Sequence, residues 1–287
     1  MIQMIQLEIT GKCQLACSHC YASSGPGGTH GTMTTQDWQR VITQAAAMGV
    51  PQVQLIGGEP TLHPGLGDLT AHAVESGLGV EVYSNLVHIR SRVWDLLARS
   101  GAVLATSYYS DRAEEHDGVT GRRGSHARTR ANIAQAVARG VGLRVGVIAP
   151  DPGQADRAVG DLVSLGVPES AIGVDQVRPV GRATDQPSGV DALCGQCGLD
   201  VVAVGPQGEV WPCTMSRWMV AGSVLEEPLA DILEGPRFGG LVDSIPRPVE
   251  GFCAPDACNP NCAPMSGCMP KKACSPNGKF TGSTATV

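Results

Sequence analysis

The sequence predicts an α/β protein built on a parallel sheet, flat or rolled into a partial barrel, followed by a small cysteine-rich module. Two observations carry this. Six apolar runs of strand length alternate with five segments of helical periodicity along the body of the 287-residue chain, and strands joined by helices of that length are parallel crossovers. Eleven cysteines are confined to the two ends: three at Cys13, Cys17 and Cys20, none from there to Cys194, and eight between Cys194 and Cys274.

The strands are read at residues 4–9, 53–56, 80–83, 103–107, 143–148 and 172–177, short runs with β-branched residues. The first helix opens at Thr34-Thr35-Gln36-Asp37, continues through Trp38, Val41, Ile42 and Ala45, and ends at Gly49. Helices over 66–75, 89–98, 128–138 and 154–164 stop at Gly77, Gly101, Gly140 and Gly166, glycine being a usual residue just past a last turn. In such folds the loops after the strands carry the chemistry. The first cysteine loop follows the first strand directly. Further on, "DVVAVGPQGEVWPC" reads as a β-hairpin around Gly205-Pro206-Gln207-Gly208. "GSVLEEPLADILEG" reads as a short amphipathic helix, and "SPNGKFTGSTATV" as a small, polar, disordered tail. The expected division is 1–185, 186–275 and 276–287.

A formal net charge of −6 argues against nucleic acid as the main partner, and the short basic run at Arg122-Arg123 reads as a solvated loop. No stretch of about 18 apolar residues is present, and no cationic start precedes an apolar segment. The chain therefore reads as cytoplasmic, without a membrane partner. In a reducing compartment, eleven cysteines are metal ligands or redox groups rather than disulfides.

For the first three, two readings stand. A closed zinc site needs a fourth ligand, which His19, His30 or a distant residue could supply. A four-iron cluster on three thiolates leaves one iron open to a substrate or cosubstrate. Cys-x3-Cys-x2-Cys wraps a short loop around three corners of a cube, and the spacing favours the open cluster. The other eight read Cys194-x2-Cys197, Cys213, then Cys253-x4-Cys258-x3-Cys262-x5-Cys268-x5-Cys274, twice the four that a closed zinc or iron–sulfur site takes.

"CQLACSHCY" resembles the signature loop of the radical S-adenosylmethionine superfamily, and further motifs follow in order. "GGEP" at 57–60 resembles the segment that meets the methionine amino group, and "YSNL" at 83–86 the segment that meets the ribose. "TSYYSDRAEEHDGVTGRRGSHART" and "VRPVGRA" resemble the fourth strand with its loop and the sixth-strand ending. The resemblance implies a partial (β/α)6 barrel whose [4Fe-4S] cluster, on Cys13, Cys17 and Cys20, is chelated by S-adenosylmethionine and cleaves it to a 5′-deoxyadenosyl radical. It implies amino-group contacts from Gly57 and Gly58, whose missing side chains allow close approach, with the Glu59 carboxylate nearby. Ser84 and Asn85 are expected on the ribose, Ser107 and Arg178 at the methionine carboxylate and nearby polar groups, and His19 and Tyr21 at the adenine. Asp111, Glu114, His116 and Asp117 read as a polar surface loop near the barrel mouth. No residue is named as catalytic acid or base.

Cys197 followed by Gly208-x4-Cys213 resembles the SPASM extension of peptide-modifying radical enzymes, which holds two auxiliary clusters with interleaved ligands. Carried over by order, the first uses Cys194, Cys197, Cys213 and Cys268, and the second Cys253, Cys258, Cys262 and Cys274. The four-residue gap after Cys253 departs from the usual Cys-x2-Cys start, which leaves open an exchange of Cys268 and Cys274. Three [4Fe-4S] clusters then account for all eleven thiols.

The implied function is oxidative modification of a peptide, a cross-link or dehydrogenation of a ribosomally made precursor. The implied partners are a low-potential donor such as a ferredoxin or flavodoxin and, since only twelve residues precede Cys13, a separate leader-recognition protein or direct binding by the barrel. One alternative is a small-molecule dehydrogenase or epimerase on the same scaffold, although an epimerase wants a spare hydrogen-donating thiol. The other is a zinc-stapled binding protein without turnover.

Overall fold

A computed structural model describes residues 1–247. Cys253, Cys258, Cys262, Cys268, Cys274 and the tail expected at 276–287 lie outside the described residues.

Strands β1 (Met4–Glu8), β2 (Gln52–Ile56), β3 (Gly79–Tyr83), β4 (Val103–Tyr108), β5 (Leu143–Ile148) and β6 (Ile172–Asp175) form the predicted parallel series. Helices α1 (Thr35–Ala47), α2 (Leu66–Glu75), α3 (Ser91–Ser100), α4 (Ala113–Thr120), α5 (Ser125–Ala138) and α6 (Pro152–Ser164) connect them. The sheet continues past β1 into β7 (Val201–Val204), β8 (Glu209–Trp211) and β9 (Gly222–Ser223), in the order β6-β5-β4-β3-β2-β1-β7-β8-β9. The expected hairpin is β7–β8, and it does not stand apart: β7 pairs with β1 in parallel, Met4 opposite Val201. Helices α7 (Leu229–Glu234) and α8 (Pro236–Asp243) follow.

Both faces of the barrel strands are buried. Ile5, Leu7, Val53, Leu55, Val80 and Val82 belong to the main apolar core together with Trp38, Val41 and Ile42 of α1. The opposite face carries a polar ladder. Gln6 Nε2 donates to Gln54 Oε1 at 3.0 Å, Gln54 Nε2 to Glu81 Oε1 at 2.5 Å, and Arg144 Nη2 and Nε to the two Glu81 oxygens at 2.7 and 3.1 Å. The ladder ties β1, β2, β3 and β5 together at one level, since buried polar groups are stable only when partnered. Glu8 pairs with Arg217, whose guanidinium lies 4.5 Å from the Trp211 ring, joining β1 to the hairpin side.

The helix signals act as read. Thr34 and Asp37 form a reciprocal capping box at α1 (Asp37 N to Thr34 Oγ1 3.2 Å, Thr34 N to Asp37 Oδ2 2.9 Å), and α3 ends on left-handed Gly101. Thr34→Ala is expected to cost about 1 kcal/mol of stability in a urea melt.

Three expectations are corrected. The sixth strand ends at Asp175 rather than 177, because the Asp175 carboxylate turns back to accept from Gln176 N at 2.8 Å. Helix α5 begins at Ser125 instead of 128, because the Asp117 carboxylate accepts from Gly124 N, Ser125 Oγ and His126 N at its start. The supposed surface loop is the helix α4, and its His116 is buried among the rings of Tyr108, Tyr109 and His126.

Burial, and secondarily His126, push the His116 imidazole down to about 4, and burial does the same to His63. A histidine depressed on folding stabilises above its ordinary value near 6.5, and the contribution is lost as pH falls from there toward 4. The melting temperature is expected to drop across that window, and less steeply in His116→Gln. Among the described residues no helix is long and apolar enough to cross a membrane.

Candidate active site

The loop after β1 has almost no regular structure; Cys13, Leu15 and Ser24 are buried along it, whereas Lys12, Ala16 and Ser18 are exposed. Three flanking segments pair with its backbone. From the loop after β2, Gly58 N donates to Thr10 O at 2.7 Å and Glu59 N to Lys12 O at 2.9 Å; at the end of α4, Thr120 O and Val119 O accept from Ala16 N and Ser18 N. After β6, Arg182 N and Nε donate to Cys20 O and Cys17 O at 3.0 and 2.8 Å. Backbone groups withdrawn from water in an irregular loop need such partners, and here the pairing holds three thiols in place.

Cys13, Cys17 and Cys20 line one cavity of about 1020 Å³, its open mouth included. Its wall includes Ile56, Tyr83, Ser107, Ile148 and Asp175, at or near the C-terminal ends of β2 to β6, the end where parallel α/β barrels place their chemistry. Burial pushes the Cys13 thiol up to about 12 and Cys17 to about 11; Arg182 partly offsets the latter. Thiols raised this far are neutral at pH 7 until a metal ion deprotonates them. No three His, Cys, Asp or Glu side chains among the described residues converge on a single ion position. The thiols share one cavity wall instead, as cluster ligands do when each takes a different corner of a cube.

The predicted contacts divide. His19, Tyr21, Gly57, Gly58, Asn85, Ser107 and Arg178 line the cavity, whereas Glu59 and Ser84 do not. His19 packs edge-on against Tyr109 with ring centres 5.0 Å apart, and burial lowers its pKa. Arg178 lies 3.6 Å from Asp175 and donates to Ala192 O at 3.5 Å. Glu59 is fully buried: Oε1 accepts from Thr61 N, Thr61 Oγ1 and Ser84 Oγ, and Oε2 from Asn85 N at 2.9 Å. The carboxylate expected beside the amino group is thus the internal brace of the turn after β3, and the Ser84 hydroxyl expected on the ribose is spent on that brace and on Leu86 N.

Asn85 faces the cavity, but both its oxygen and its nitrogen are engaged by the protein. The glycines have an added role, since a Cβ on Gly58 would stand 2.5 Å from Lys12 O and one on Gly57 would press into Thr10 O. Sequence reading missed Tyr109, Ser24, Arg182 and Met215 in this wall. Two of them carried a signal, Tyr109 inside the quoted "TSYYSDRAEEHDGVTGRRGSHART" and Arg182 inside "VRPVGRA".

A second thiol group lies behind the hairpin. Cys197 Sγ is 2.8 Å from Cys213 Sγ, and Cys194, Cys197 and Cys213 share a small apolar cluster with Met219, Ile245 and Leu241. Cys194 and Cys213 are drawn down by hydrogen bonds from Cys197, which is driven up. Arg247 Nη1 donates to Gly195 O at 2.5 Å and closes the turn between the first two. Met215, two residues past Cys213, reaches the first cavity.

The sequence matches the radical SAM superfamily over residues 7–166 and an iron–sulfur cluster-binding domain, SPASM, over 194–263. The chain belongs to the radical SAM superfamily. It is 34% identical over 145 residues to a PqqA peptide cyclase of Ruegeria pomeroyi, covering 49% of this chain and 38% of that protein. It is 34% identical over 183 residues to the mycofactocin maturase MftC of Mycobacterium ulcerans, covering 62% and 48%. The chain thus spans less than half the length of these curated relatives. Its fold is similar to that of Streptococcus suis SuiB bound to the precursor peptide SuiA, with a TM-score of 0.70, 15% identity, and coverage of 84% of this chain and 67% of that one. The partial barrel is therefore shared. Family membership implies S-adenosylmethionine and iron–sulfur clusters as cofactors.

The residues present fit those groups. Three thiols with their backbone fixed offer soft ligands suited to iron–sulfur chemistry. The buried Ser24 Oγ has no partner among the described residues and belongs to the cavity wall beside Gly58, where a polar ligand group would satisfy it.

Proposed function

We propose that this protein is a radical S-adenosylmethionine enzyme that oxidatively modifies a peptide, a ribosomally made precursor cross-linked or dehydrogenated by loss of two hydrogens. One observation carries the reading: Cys13, Cys17 and Cys20 line the same cavity that Met215 enters from beside Cys213. The segment that carries Cys213 therefore reaches, through Met215, the space that the first three thiols line. The peptide class is supported by the activities named for the relatives and by the precursor peptide in the SuiB complex.

Cys13, Cys17 and Cys20 hold the N-terminal cluster. Cys194, Cys197, Cys213 and Cys268 hold the first auxiliary cluster, and Cys253, Cys258, Cys262 and Cys274 the second, so that the chain carries three. Bound there, the N-terminal cluster supplies the low-potential electron that breaks a carbon–sulfur bond of S-adenosylmethionine. The chain's own residues fix the thiols, wall the cavity with Tyr83, Tyr109 and Ile148, and present Arg178 and Ser107 to an anionic or hydroxylic group. Residues 1–185 form the barrel and 186–275 the auxiliary module, in a protein working in the cytoplasm with a ferredoxin- or flavodoxin-type donor and, for a leader-bearing substrate, a separate recognition protein.

The test is anaerobic reconstitution followed by S-adenosylmethionine, a strong reductant and short peptides encoded beside the gene. About twelve irons per chain, 5′-deoxyadenosine and a peptide lighter by two hydrogens are expected. Zinc in place of iron and no 5′-deoxyadenosine would replace this reading with a zinc-stapled binding protein.

A further inference from the structure

We propose that Asn85 is a positioning residue that sets the reduction potential of the N-terminal cluster by donating a hydrogen bond from its side-chain amide to the Cys13 sulfur; this rests on the cluster assignment above. Asn85 Nδ2 lies 3.6 Å from Cys13 Sγ, and Leu15 N donates to the same sulfur at 3.4 Å. The backbone donor follows from the loop. The side-chain donor is separately constructed.

Asn85 is held at every polar atom. Its amide pairs reciprocally with that of Gln14, Gln14 Nε2 donating to Asn85 Oδ1 at 3.0 Å and Asn85 Nδ2 to Gln14 Oε1 at 3.3 Å, while Val87 N donates to the same Oδ1 at 3.0 Å. Its backbone N–H is taken by the buried Glu59 carboxylate, and its carbonyl accepts from Thr129 Oγ1 at 3.0 Å. The next residue, Leu86, has φ 54°, a left-handed conformation that costs a non-glycine residue energy and persists only where its surroundings enforce it. Asn132 Nδ2 supplies part of that enforcement by donating to Leu86 O at 2.6 Å. A strained turn braced by Glu59, Ser84, Thr129 and Asn132 thus serves to aim one amide at one sulfur.

The amide has no capacity left for a ribose. Oδ1 accepts twice, and Nδ2 donates to Gln14 and to Cys13, which is its full complement. Hydrogen bonds to cluster sulfurs and local charge are among the factors that set cluster potentials. A donor on a thiolate stabilises the reduced state more, because reduction adds negative charge to the cluster and its ligands. Removing the donor therefore lowers the potential.

The test is an EPR-monitored redox titration of the reconstituted full chain, the N-terminal cluster being identified by the signal that adding S-adenosylmethionine perturbs. Asn85→Leu is expected to retain the parent's iron content and to reduce the equilibrium constant for cluster reduction by about tenfold, ~59 mV for a one-electron couple. Asn85→Asp keeps the acceptors for Gln14 and Val87 but sets a carboxylate by the sulfur, and is expected to shift the potential further in the same direction. Ser164→Ala, at the exposed end of α6 and outside the cavity wall, should leave it in place. An unmoved potential with full iron in both Asn85 variants overturns the inference alone. Loss of iron from both overturns it in favour of a purely structural role, and a parent that assembles no N-terminal cluster overturns the cluster assignment together with it.

Discussion

Replacing Cys13, Cys17 and Cys20 together by alanine is expected to reduce 5′-deoxyadenosine formation to background while the protein keeps about eight of about twelve irons. The expectation of a folded variant comes from the loop's backbone. Its bonds to Gly58, Glu59, Val119, Thr120 and Arg182 are made by main-chain groups and one guanidinium, none of which involves a sulfur. The retained irons follow from separation. Cys194, Cys197 and Cys213 sit in an apolar cluster of their own, whereas Cys13 packs with Leu15, Val87 and Cys17. Iron quantification and product analysis on one preparation check both parts. Unchanged iron would remove the three thiols from the ligand set, and loss of all iron would mean that the two groups assemble as one unit.

The parts legible in sequence were those decided locally. β-branched runs became strands, glycines past the last turn ended helices, and the thiol spacing marked the loop that the cavity surrounds. What stayed hidden depends on contacts made far along the chain. Helix α4 has no apolar stripe, and its buried positions, His116 and Thr120, are polar. Helix α8 begins at a proline and contains two adjacent glycines, and it is held by Phe238 against the core and Arg247 over the cysteine turn. The hairpin was legible, but its pairing with β1 was not, because parallel partners are set by register between distant segments. Glu59 and Ser84 illustrate the same limit within the site. Their motif correctly placed them at strand ends beside the cavity, but whether a polar side chain there faces a ligand or braces a turn depends on which neighbours need hydrogen bonds. Glu59 meets four donor groups on the protein side, and they decide it.

Gly57→Ala is expected to destabilise the protein by roughly 3–5 kcal/mol, combining strain at a backbone conformation suited to glycine with overpacking, and to lose the N-terminal irons. Gly57 has φ +143°, and its Cβ would press into the Thr10 carbonyl, which also accepts from Gly58 N at 2.7 Å. Neither atom is the end of a flexible side chain, so relief requires moving the cysteine loop away from the strand that positions it. Gly77→Ala is the matched comparison: it too has positive φ, but a Cβ there meets nothing within 4 Å, and the expected cost is about 1 kcal/mol. For a chain of this size the first change should lower the melting temperature by roughly 10 °C, the second by a few degrees. The comparison separates two reasons for the glycine pair. If the missing side chains served only to let S-adenosylmethionine approach the backbone, Gly57→Ala would fold as stably as Gly77→Ala, keep all its iron and lose only cosubstrate affinity. If they let the loop after β2 lie against the loop after β1, stability and cluster content fall together, because the surface that would meet the cosubstrate is the surface that holds the thiols.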